Sequence, residues 1–108
     1  MADRKVVEYL ERGISPFGIW FSKLDPHVAA KISTALYRLE AGNVSNVKSV
    51  GKGVFEYKID FGPGFRIYFG HEGDRLFILL GGGVKKTQNK DIKIAQMRWA
   101  HYKVTKEK

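Results

Sequence analysis

Two alternating segments joined by a short turn constrain the fold of this chain more than any other feature of its sequence. In residues 54–61 every second side chain is apolar, and residues 65–69 repeat the pattern. Successive side chains of a β-strand point to opposite faces, so each segment predicts a strand with one apolar and one polar face. Residues 62–64, Gly-Pro-Gly, provide the turn between them. A β-hairpin with one buried face is therefore the expected centre of the fold.

Further strands are predicted on both sides of this hairpin. Residues 5–10 and 47–50 are typical of short strands, and residues 75–80 are almost entirely apolar, as in a strand covered on both faces. Residues 71–74 predict a turn before that strand, and the three glycines at 81–83 predict its end. Because the connections between residues 47 and 80 are short, we expect these strands to form an antiparallel meander.

Helical patterns lie before and after the strands. Ser-Pro at residues 15–16 and Asp-Pro at residues 25–26 each combine a capping side chain with proline at the first helical position. They predict two helices that meet at a sharp corner, the second with an apolar stripe and an end near Gly42. A last helix is predicted from about residue 88 to residue 103.

Together these patterns predict an α+β fold in a single domain over residues 1–108. An N-terminal helical hairpin covers one face of a mostly antiparallel sheet of four or five strands, and a helix ends the chain. The opposite face of the central hairpin is then expected to be open and polar. It would carry Glu56, Lys58, Asp60, Arg66 and Tyr68. We look for function on that polar face.

The charge of the chain is strongly positive and unevenly distributed. The formal net charge is +8 and the isoelectric point is about 9.8. Residues 47–108 carry 13 basic and 6 acidic side chains, whereas residues 1–46 carry 6 and 5. A basic half on a small domain favours a polyanionic partner such as nucleic acid, the ribosome or an acidic protein. A merely soluble surface is the alternative.

Several classes of function are excluded or disfavoured by composition. The chain has no cysteine, which excludes disulfides, zinc ribbons and thiol catalysis. The three histidines lie in unrelated elements, so no metal site is expected. No apolar run approaches the roughly 20 residues that span a bilayer. The first residues lack the apolar segment of a signal peptide, and we therefore expect a cytoplasmic protein.

Arg66 and Lys58 are the most informative polar residues, because they lie on neighbouring strands of the central hairpin. Two cations there can hold a phosphodiester and stabilise the charge that develops at phosphorus. RNA can then be cleaved without a metal, with its own 2′-hydroxyl as nucleophile. A ladder of cross-strand ion pairs formed by Glu56, Lys58, Asp60 and Arg66 explains these residues equally well. Both interpretations remain open at this point.

Over residues 5–100, a set of short motifs occurs in an order and at spacings that resemble those of a known family. The segments are Ser15-Pro16-Phe17 with Trp20, Gly42-Asn43, Val50–Ile59, Gly62–Phe69, Leu79–Gly82, and Lys86-Thr87-Gln88 with Asp91, Ile92 and Ala95. This set resembles the RelE/ParE toxin superfamily, and more narrowly its HigB-like group of addiction module killer proteins. The resemblance implies a compact RelE-like two-layer fold and a toxin of a bacterial type II toxin–antitoxin pair.

The resemblance also implies an activity and the residues that carry it. RelE-like members cut mRNA in the ribosomal A site and need no metal or other cofactor. The implied catalytic residues are Arg66, which matches the arginine that contacts the scissile phosphate, with Lys58 and Lys86. The implied contacts with RNA or the ribosome are Lys52, Lys85, Tyr68 and Lys90. Asp60 stands at a position that is often basic in the family, which weakens the nuclease interpretation.

His101 and Tyr102 are candidates for acid–base chemistry. A tyrosine near the C-terminus acts in some RelE-like members, and Tyr102 could correspond to it. Tyr102 shares a helical stripe with Ile92 and Trp99, however, and this favours packing in the core. His101 would face elsewhere and is a weaker candidate for proton transfer.

Three functions are compatible with this resemblance. The first is a ribosome-dependent mRNA endonuclease. The second is a ParE-like toxin that binds DNA gyrase without cleaving RNA, and the third is an inactive homologue that acts as a binding module. In each case we expect a cognate antitoxin, typically a small helix-turn-helix protein. The first function adds the ribosome and mRNA as partners, and none of the three involves a membrane or a small-molecule substrate.

Overall fold

The computed structural model describes residues 4–106. The elements are β1 (Lys5–Glu8), α1 (Pro16–Ser22), α2 (Pro26–Glu40), β2 (Val47–Ser49), β3 (Phe55–Ile59), β4 (Phe65–Glu72), β5 (Leu76–Val84), a 3₁₀ turn (Lys85–Thr87) and α3 (Gln88–Lys106). The described part of the chain is therefore an α+β structure with five strands and three helices, as the sequence pattern predicts.

The two N-terminal helices begin at the predicted caps. The hydroxyl of Ser15 accepts a hydrogen bond of 2.8 Å from the backbone N–H of Gly18, and the carboxylate of Asp25 accepts one of 2.9 Å from that of His27. Each cap satisfies a donor that the first helical turn leaves free. After α2 the chain turns at Gly42, whose φ of +92° lies in the left-handed region that favours glycine.

The strands form one mixed sheet in the order β1-β5-β4-β3-β2. The strands β2 to β5 are antiparallel neighbours, which confirms the predicted meander. Strand β1 pairs with β5 in parallel, with Val6 opposite Phe77. Strand β4 continues to Glu72, so the turn predicted at residues 71–74 begins later than expected.

Both faces of the sheet are covered. The helices α1 and α2 bury the apolar side of the central hairpin, as predicted. On the other face α3 crosses β4 and β5, and its Ala95 and Trp99 pack in a second core with Tyr68, Ile78 and Leu80. The expectation of an open polar face was therefore wrong. Because β4 and β5 carry apolar side chains on this face too, they require a cover, which α3 provides.

The glycines at 81–83 do not end β5, which runs through them to Val84. The ring of Trp20 on α1 occupies the place that a Cβ on Gly82 would take. On the other face, the ring of Trp99 on α3 does the same at Gly70 of β4. Glycine within a strand commonly marks such a close approach. These two positions allow a tryptophan to lie directly on each face of the sheet.

Candidate functional site

Four cationic residues lie on neighbouring backbone segments where β3 ends and where β4 begins. Lys58 lies directly opposite Arg66 in the β3–β4 ladder. The backbone N–H of Lys85 donates a hydrogen bond of 2.9 Å to the carbonyl of Gly64, which joins the chain after β5 to the turn before β4. Lys86 follows in the same 3₁₀ turn. We call the group of Lys58, Arg66, Lys85 and Lys86 the basic end of the sheet.

Arg66 is the buried member of this group. It is 4% exposed, and its Nε lies 3.9 Å from Oε2 of Glu56, which is 1% exposed. Its Nη1 donates a hydrogen bond of 3.2 Å to the carbonyl of Gly64. A guanidinium is tolerated at this depth because a carboxylate lies beside it. The predicted cross-strand ion pair thus forms between Glu56 and Arg66.

Glu56 connects three elements of the fold. Its Oε2 accepts a hydrogen bond of 2.7 Å from Nε2 of Gln88, the first residue of α3. Its Oε1 lies 3.9 Å from Nζ of Lys48 on β2, which is an ion pair without a hydrogen bond. Within residues 4–106, three buried atoms here have no hydrogen-bond partner: Glu56 Oε1, Arg66 Nε and the Tyr68 hydroxyl. Such unsatisfied groups are costly, and they are common at functional sites.

Tyr68 lies beneath α3 and is 1% exposed. Burial raises the pKa of Tyr68, and the carboxylates of Glu56 and Asp91 raise it further. Its hydroxyl therefore keeps its proton at neutral pH and does not serve as a base. The contact with RNA predicted for Tyr68 has no accessible surface in this structure, since the side chain belongs to the second core.

Over the described residues 4–106, no group of three or more histidine, aspartate or glutamate side chains is arranged to hold a metal ion. Within the same range no helix combines the length and the apolar character that crossing a membrane requires.

Comparison with known proteins identifies the family. Residues 19–100, from α1 to most of α3, match the family described as phage-derived protein Gp49-like (DUF891). The chain belongs to the Gp49-like family. A protein of Haemophilus influenzae that is described as uncharacterized is 46% identical over 82 residues, which cover 75% of this chain and 83% of the relative. The family belongs to the killer-protein group of toxin–antitoxin addiction modules.

Membership in this group settles the coarse part of the expected function. The Gp49-like protein is placed with the toxins of toxin–antitoxin pairs, and this group implies an antitoxin as its partner. The addiction-module part of the resemblance is thereby confirmed. The finer assignment to the RelE/ParE superfamily stays a prediction.

Two further lysines of the Gp49-like protein were predicted to bind RNA or the ribosome. Lys90 is exposed in the first turn of α3, close in sequence to the basic end. Lys52 lies in the turn between β2 and β3, with a φ of +56°. This turn precedes β3, whereas Lys58 lies near the end of that strand. Lys52 is therefore at the opposite end of the sheet from Lys58 and the rest of the basic end.

His101 and Tyr102 also lie apart from the basic end. Nδ1 of His101 is 2.8 Å from the hydroxyl of Tyr9. Tyr102 stacks on Trp99, with ring centroids 5.3 Å apart, and donates a hydrogen bond of 3.0 Å to Glu72. Burial raises the pKa of Tyr102, and the hydrogen bond to Glu72 adds to this effect. The predicted core packing of Tyr102 is confirmed.

The distance between the two groups follows from the strand that separates them. Glu72 ends β4 and Arg66 is near its start, so the rise of the strand places them about 20 Å apart. The structure therefore does not bring Arg66 together with either acid–base candidate at one phosphate.

Sequence reasoning missed the central role of Glu56 and the contribution of Gln88. Glu56 was predicted only as one member of a cross-strand ion-pair ladder, not as the buried centre of the site. The signal that could have found it is its position diagonally across from Arg66, where a carboxylate is within reach of a guanidinium. Gln88 belongs to the Lys86-Thr87-Gln88 motif. Its contact with Glu56, 32 positions earlier in the chain, depends on how α3 packs on the sheet.

Proposed function

We propose that this Gp49-like protein is a toxin that cleaves mRNA on the ribosome, and that the basic end of the sheet binds the scissile phosphate. The supporting observation is the convergence of three exposed lysines, Lys58, Lys85 and Lys86, around the buried Arg66. Among residues 4–106, no carboxylate oxygen lies within 4.0 Å of any of these three ammonium groups. Their charge is therefore free to attract phosphate.

The proposed reaction uses the RNA itself as nucleophile. A 2′-hydroxyl loses its proton and its oxygen attacks the adjacent phosphorus, while the bond from phosphorus to the 5′-oxygen breaks. The products are a 2′,3′-cyclic phosphate and a 5′-hydroxyl. Negative charge increases on the phosphoryl oxygens in the transition state, and ammonium groups held beside them stabilise it. The lysines of the basic end have this role in the proposal.

Arg66 has a positioning role in this proposal. The carbonyl of Gly64 accepts hydrogen bonds from both Nη1 of Arg66 and the backbone N–H of Lys85. Arg66 therefore holds the turn to which the lysine segment is attached. Its low exposure favours this indirect effect over the direct phosphate contact that the resemblance implies.

A translation reaction with an end-labelled message tests the nuclease. The protein is added with and without ribosomes, and new 5′ ends are mapped by primer extension. We expect discrete ends that require ribosomes. Lys58→Ala and Lys86→Ala should each slow cleavage by about a hundredfold, the usual effect of removing one group that stabilises a transition-state oxyanion. The control is Lys93→Ala, which removes an exposed lysine of α3 outside the basic end.

An intact message at saturating protein would contradict the nuclease proposal. Loss of cleavage in Arg66→Ala alone would not distinguish a positioning role from a catalytic one. The rate of Arg66→Lys, which retains a donor near Gly64, separates them: a positioning role predicts partial recovery relative to Arg66→Ala.

A second candidate is a ParE-like toxin that inhibits DNA gyrase. It is favoured by the burial of Arg66 against Glu56 and by the distance of His101 and Tyr102 from the basic end. A binding protein needs no group for proton transfer beside its lysines. Inhibition of gyrase supercoiling by the protein, together with an intact message, would support this function.

Growth arrest on expression without an antitoxin would exclude the third alternative, an inactive homologue.

A further inference from the structure

A continuous groove runs between α1 and α3, and its outer part lies apart from the basic end. Its inner part is a cleft of about 260 Å³ that ends on the strand glycines of β5. Its outer part has a volume of about 540 Å³ and opens beside the loop before α1. Pro16, Ile19 and Arg98 line both parts, so the two are continuous. We call this feature the α1–α3 groove.

Large apolar side chains are exposed along the outer part of the groove. Ile14 is 57% exposed and Ile19 is 46% exposed, and Leu10 is exposed nearby in the chain. Single exposed apolar side chains are common on protein surfaces, but a cluster beside a concave feature marks a site for a partner. The structure gives these side chains no other use, because neither isoleucine belongs to either core.

The loop that presents Ile14 is held in a defined conformation. The backbones of Glu11 and Ile14 exchange two hydrogen bonds, of 2.8 and 3.0 Å. Arg12 and Gly13 form the tip between them, with φ values of +54° and +80°. A paired loop loses less conformational entropy on binding than a free one. The exposed Ile14 is therefore already positioned for a partner.

The rim of the groove has an excess of positive charge. Arg12 and Lys23 have no carboxylate oxygen within 4.0 Å in the described part of the chain. Glu11 is paired with Arg98 at 4.0 Å, and Asp91 accepts a hydrogen bond of 2.5 Å from the 3₁₀ turn before α3. The two unpaired cations favour a partner with carboxylates. The apolar side chains between them favour a peptide over a nucleic acid.

We propose that the α1–α3 groove binds an acidic amphipathic helix of the cognate antitoxin. Apolar side chains of this helix would contact Ile14 and Ile19, and its carboxylates would lie against Arg12 and Lys23. Binding of a helix in a groove is a common mode of peptide recognition, with apolar anchors at every third or fourth residue. The inference rests on the proposed toxin role, which provides the partner.

The position of the groove separates binding from toxicity. Arg98 of α3 lines the outer part of the groove. It lies ten residues, or about 15 Å, along the helix from Gln88, which is at the basic end. Substitutions at Ile14 or Ile19 therefore leave Lys58, Lys85 and Lys86 in place. A variant that still arrests growth but escapes its antitoxin is the expected result.

The test measures affinity for the purified protein encoded by the adjacent gene, by titration calorimetry. Ile14→Asp and Ile19→Asp should each weaken binding by about tenfold or more, as expected for anchors at the centre of an interface. Each variant has a control at a valine of similar exposure on another surface. The control for Ile14→Asp is Val104→Asp, at a residue that is 58% exposed, and the control for Ile19→Asp is Val44→Asp, at a residue that is 48% exposed. Both controls should bind within about twofold of the unmodified chain.

A charge reversal tests the electrostatic part of the proposal. Lys23→Glu should weaken binding, and the difference from the unmodified chain should shrink as salt is added. Lys93→Glu changes the net charge equally on an exposed position outside the groove lining and should have little effect.

Three results would overturn the inference. The groove variants could bind as tightly as their controls, or the unmodified chain could fail to bind the adjacent gene product. The unmodified chain could also be a dimer that Ile19→Asp dissociates, which would make a second copy the occupant. Circular dichroism shows whether each variant is folded. Because Ile14 lies outside any helix, Ile14→Asp still tests the groove if Ile19→Asp unfolds the protein. Growth arrest is scored separately, so failure of the toxin function is distinguishable from failure of the groove.

Discussion

At the residue scale, the candidate site is governed by one buried carboxylate. Glu56 is almost fully enclosed, yet it lies within ion-pairing distance of Arg66 and Lys48 and accepts a hydrogen bond from Gln88. Desolvating a charge costs several kcal/mol, and a nearby opposite charge offsets that cost. Each of the two buried ions therefore depends on the other, and the basic end depends on both.

Removal of Glu56 is expected to destabilise the fold. Glu56→Ala should lower the free energy of unfolding by about 3–5 kcal/mol, because it leaves the buried guanidinium of Arg66 without its partner. The double variant Glu56→Ala/Arg66→Met should lose less than the sum of the two single changes. Urea denaturation gives each value. Asp60→Ala removes an exposed carboxylate just after the same strand and should cost less than about 0.5 kcal/mol.

Additive losses in this cycle would show that the two ions do not interact. The cycle also bears on the functional proposal. If Arg66 positions the lysine turn, the double variant should recover stability without recovering cleavage, since the hydrogen bond to Gly64 is still absent.

At the element scale, α3 forms the cover of the second sheet face and is attached along its length. Gln88 contacts Glu56 at its start, and Gln96 and Arg98 donate hydrogen bonds of 2.9 and 2.8 Å to backbone carbonyls of the chain beneath. Near its end Tyr102 and Lys106 both contact Glu72. Polar contacts at both ends thus supplement the burial of Ala95 and Trp99 in the middle.

The end of α3 is expected to loosen in acid. The hydrogen bond from Lys106 lowers the pKa of Glu72 below its usual value of 4.5, and the hydrogen bond from Tyr102 adds to this. A depressed pKa in the folded state contributes stability above the unfolded value, and that contribution is lost as pH falls through the folded value. The protection of amides in the last turn of α3, corrected for the intrinsic exchange rate, should therefore fall below about pH 4.5.

Variants of Glu72, and of Asp74 in the turn that follows β4, test whether the ionised Glu72 holds the end of α3. Glu72→Gln should give faster exchange at neutral pH and remove the acid dependence of the last turn. Asp74→Asn, a change at an exposed carboxylate two residues away, should leave both unchanged. Equal acid dependence in Glu72→Gln and the unmodified protein would contradict the assignment.

The contact of α1 with the sheet depends on a strand glycine. Gly82→Ala should destabilise the protein by about 1–3 kcal/mol, because the new methyl group overlaps the ring of Trp20. Combined with Trp20→Ala, the same change should cost much less, since the obstructing ring is gone. Thermal or urea unfolding of the four proteins measures the coupling. A cost for Gly82→Ala that is the same with and without Trp20 would contradict this steric explanation.

At the scale of the whole molecule, the net charge is +8, and within residues 4–106 two surfaces present exposed cations without a carboxylate partner. The basic end collects exposed lysines from the end of β3 and from the turn after β5, and the α1–α3 groove combines two cations with exposed isoleucines. The lysines of the basic end favour binding of phosphates, and the cations and isoleucines of the groove favour binding of an acidic peptide. In the two proposals made above, the target binds at the basic end and the antitoxin binds in the groove, through different surfaces.

Salt dependence tests whether the basic end contacts phosphate. Replacing Lys58, Lys85 and Lys86 together by Gln should reduce the slope of log K against log salt for a single-stranded RNA by about 2, or about 0.7 per lost contact. A control with Lys5, Lys93 and Lys103 replaced by Gln has the same net charge and should keep most of the slope. Fluorescence anisotropy over a range of salt concentrations gives both slopes. Equal slopes would indicate attraction by net charge alone.

Patterns among residues close in the chain were enough to predict the elements of this protein. The alternation of residues 54–69 predicted the central hairpin and its apolar face, and the Ser-Pro and Asp-Pro pairs predicted the helix starts. Strand alternation and helix capping depend on neighbouring residues, so a sequence displays them directly. The same reading brought Lys58 next to Arg66, because a short turn leaves little choice of register.

Contacts between residues far apart in the chain decided the rest. The docking of α3 closed the face that was expected to be open, buried Arg66 against Glu56, and placed His101 and Tyr102 at the far end of β4. The packing of Trp20 kept the glycines of β5 within the strand. Burial depends on which surfaces meet. Local periodicity does not specify how α3 packs on β4 and β5, which begin 23 and 12 residues before it. The accessible lysines, not the buried arginine, are therefore the proposed phosphate-binding groups.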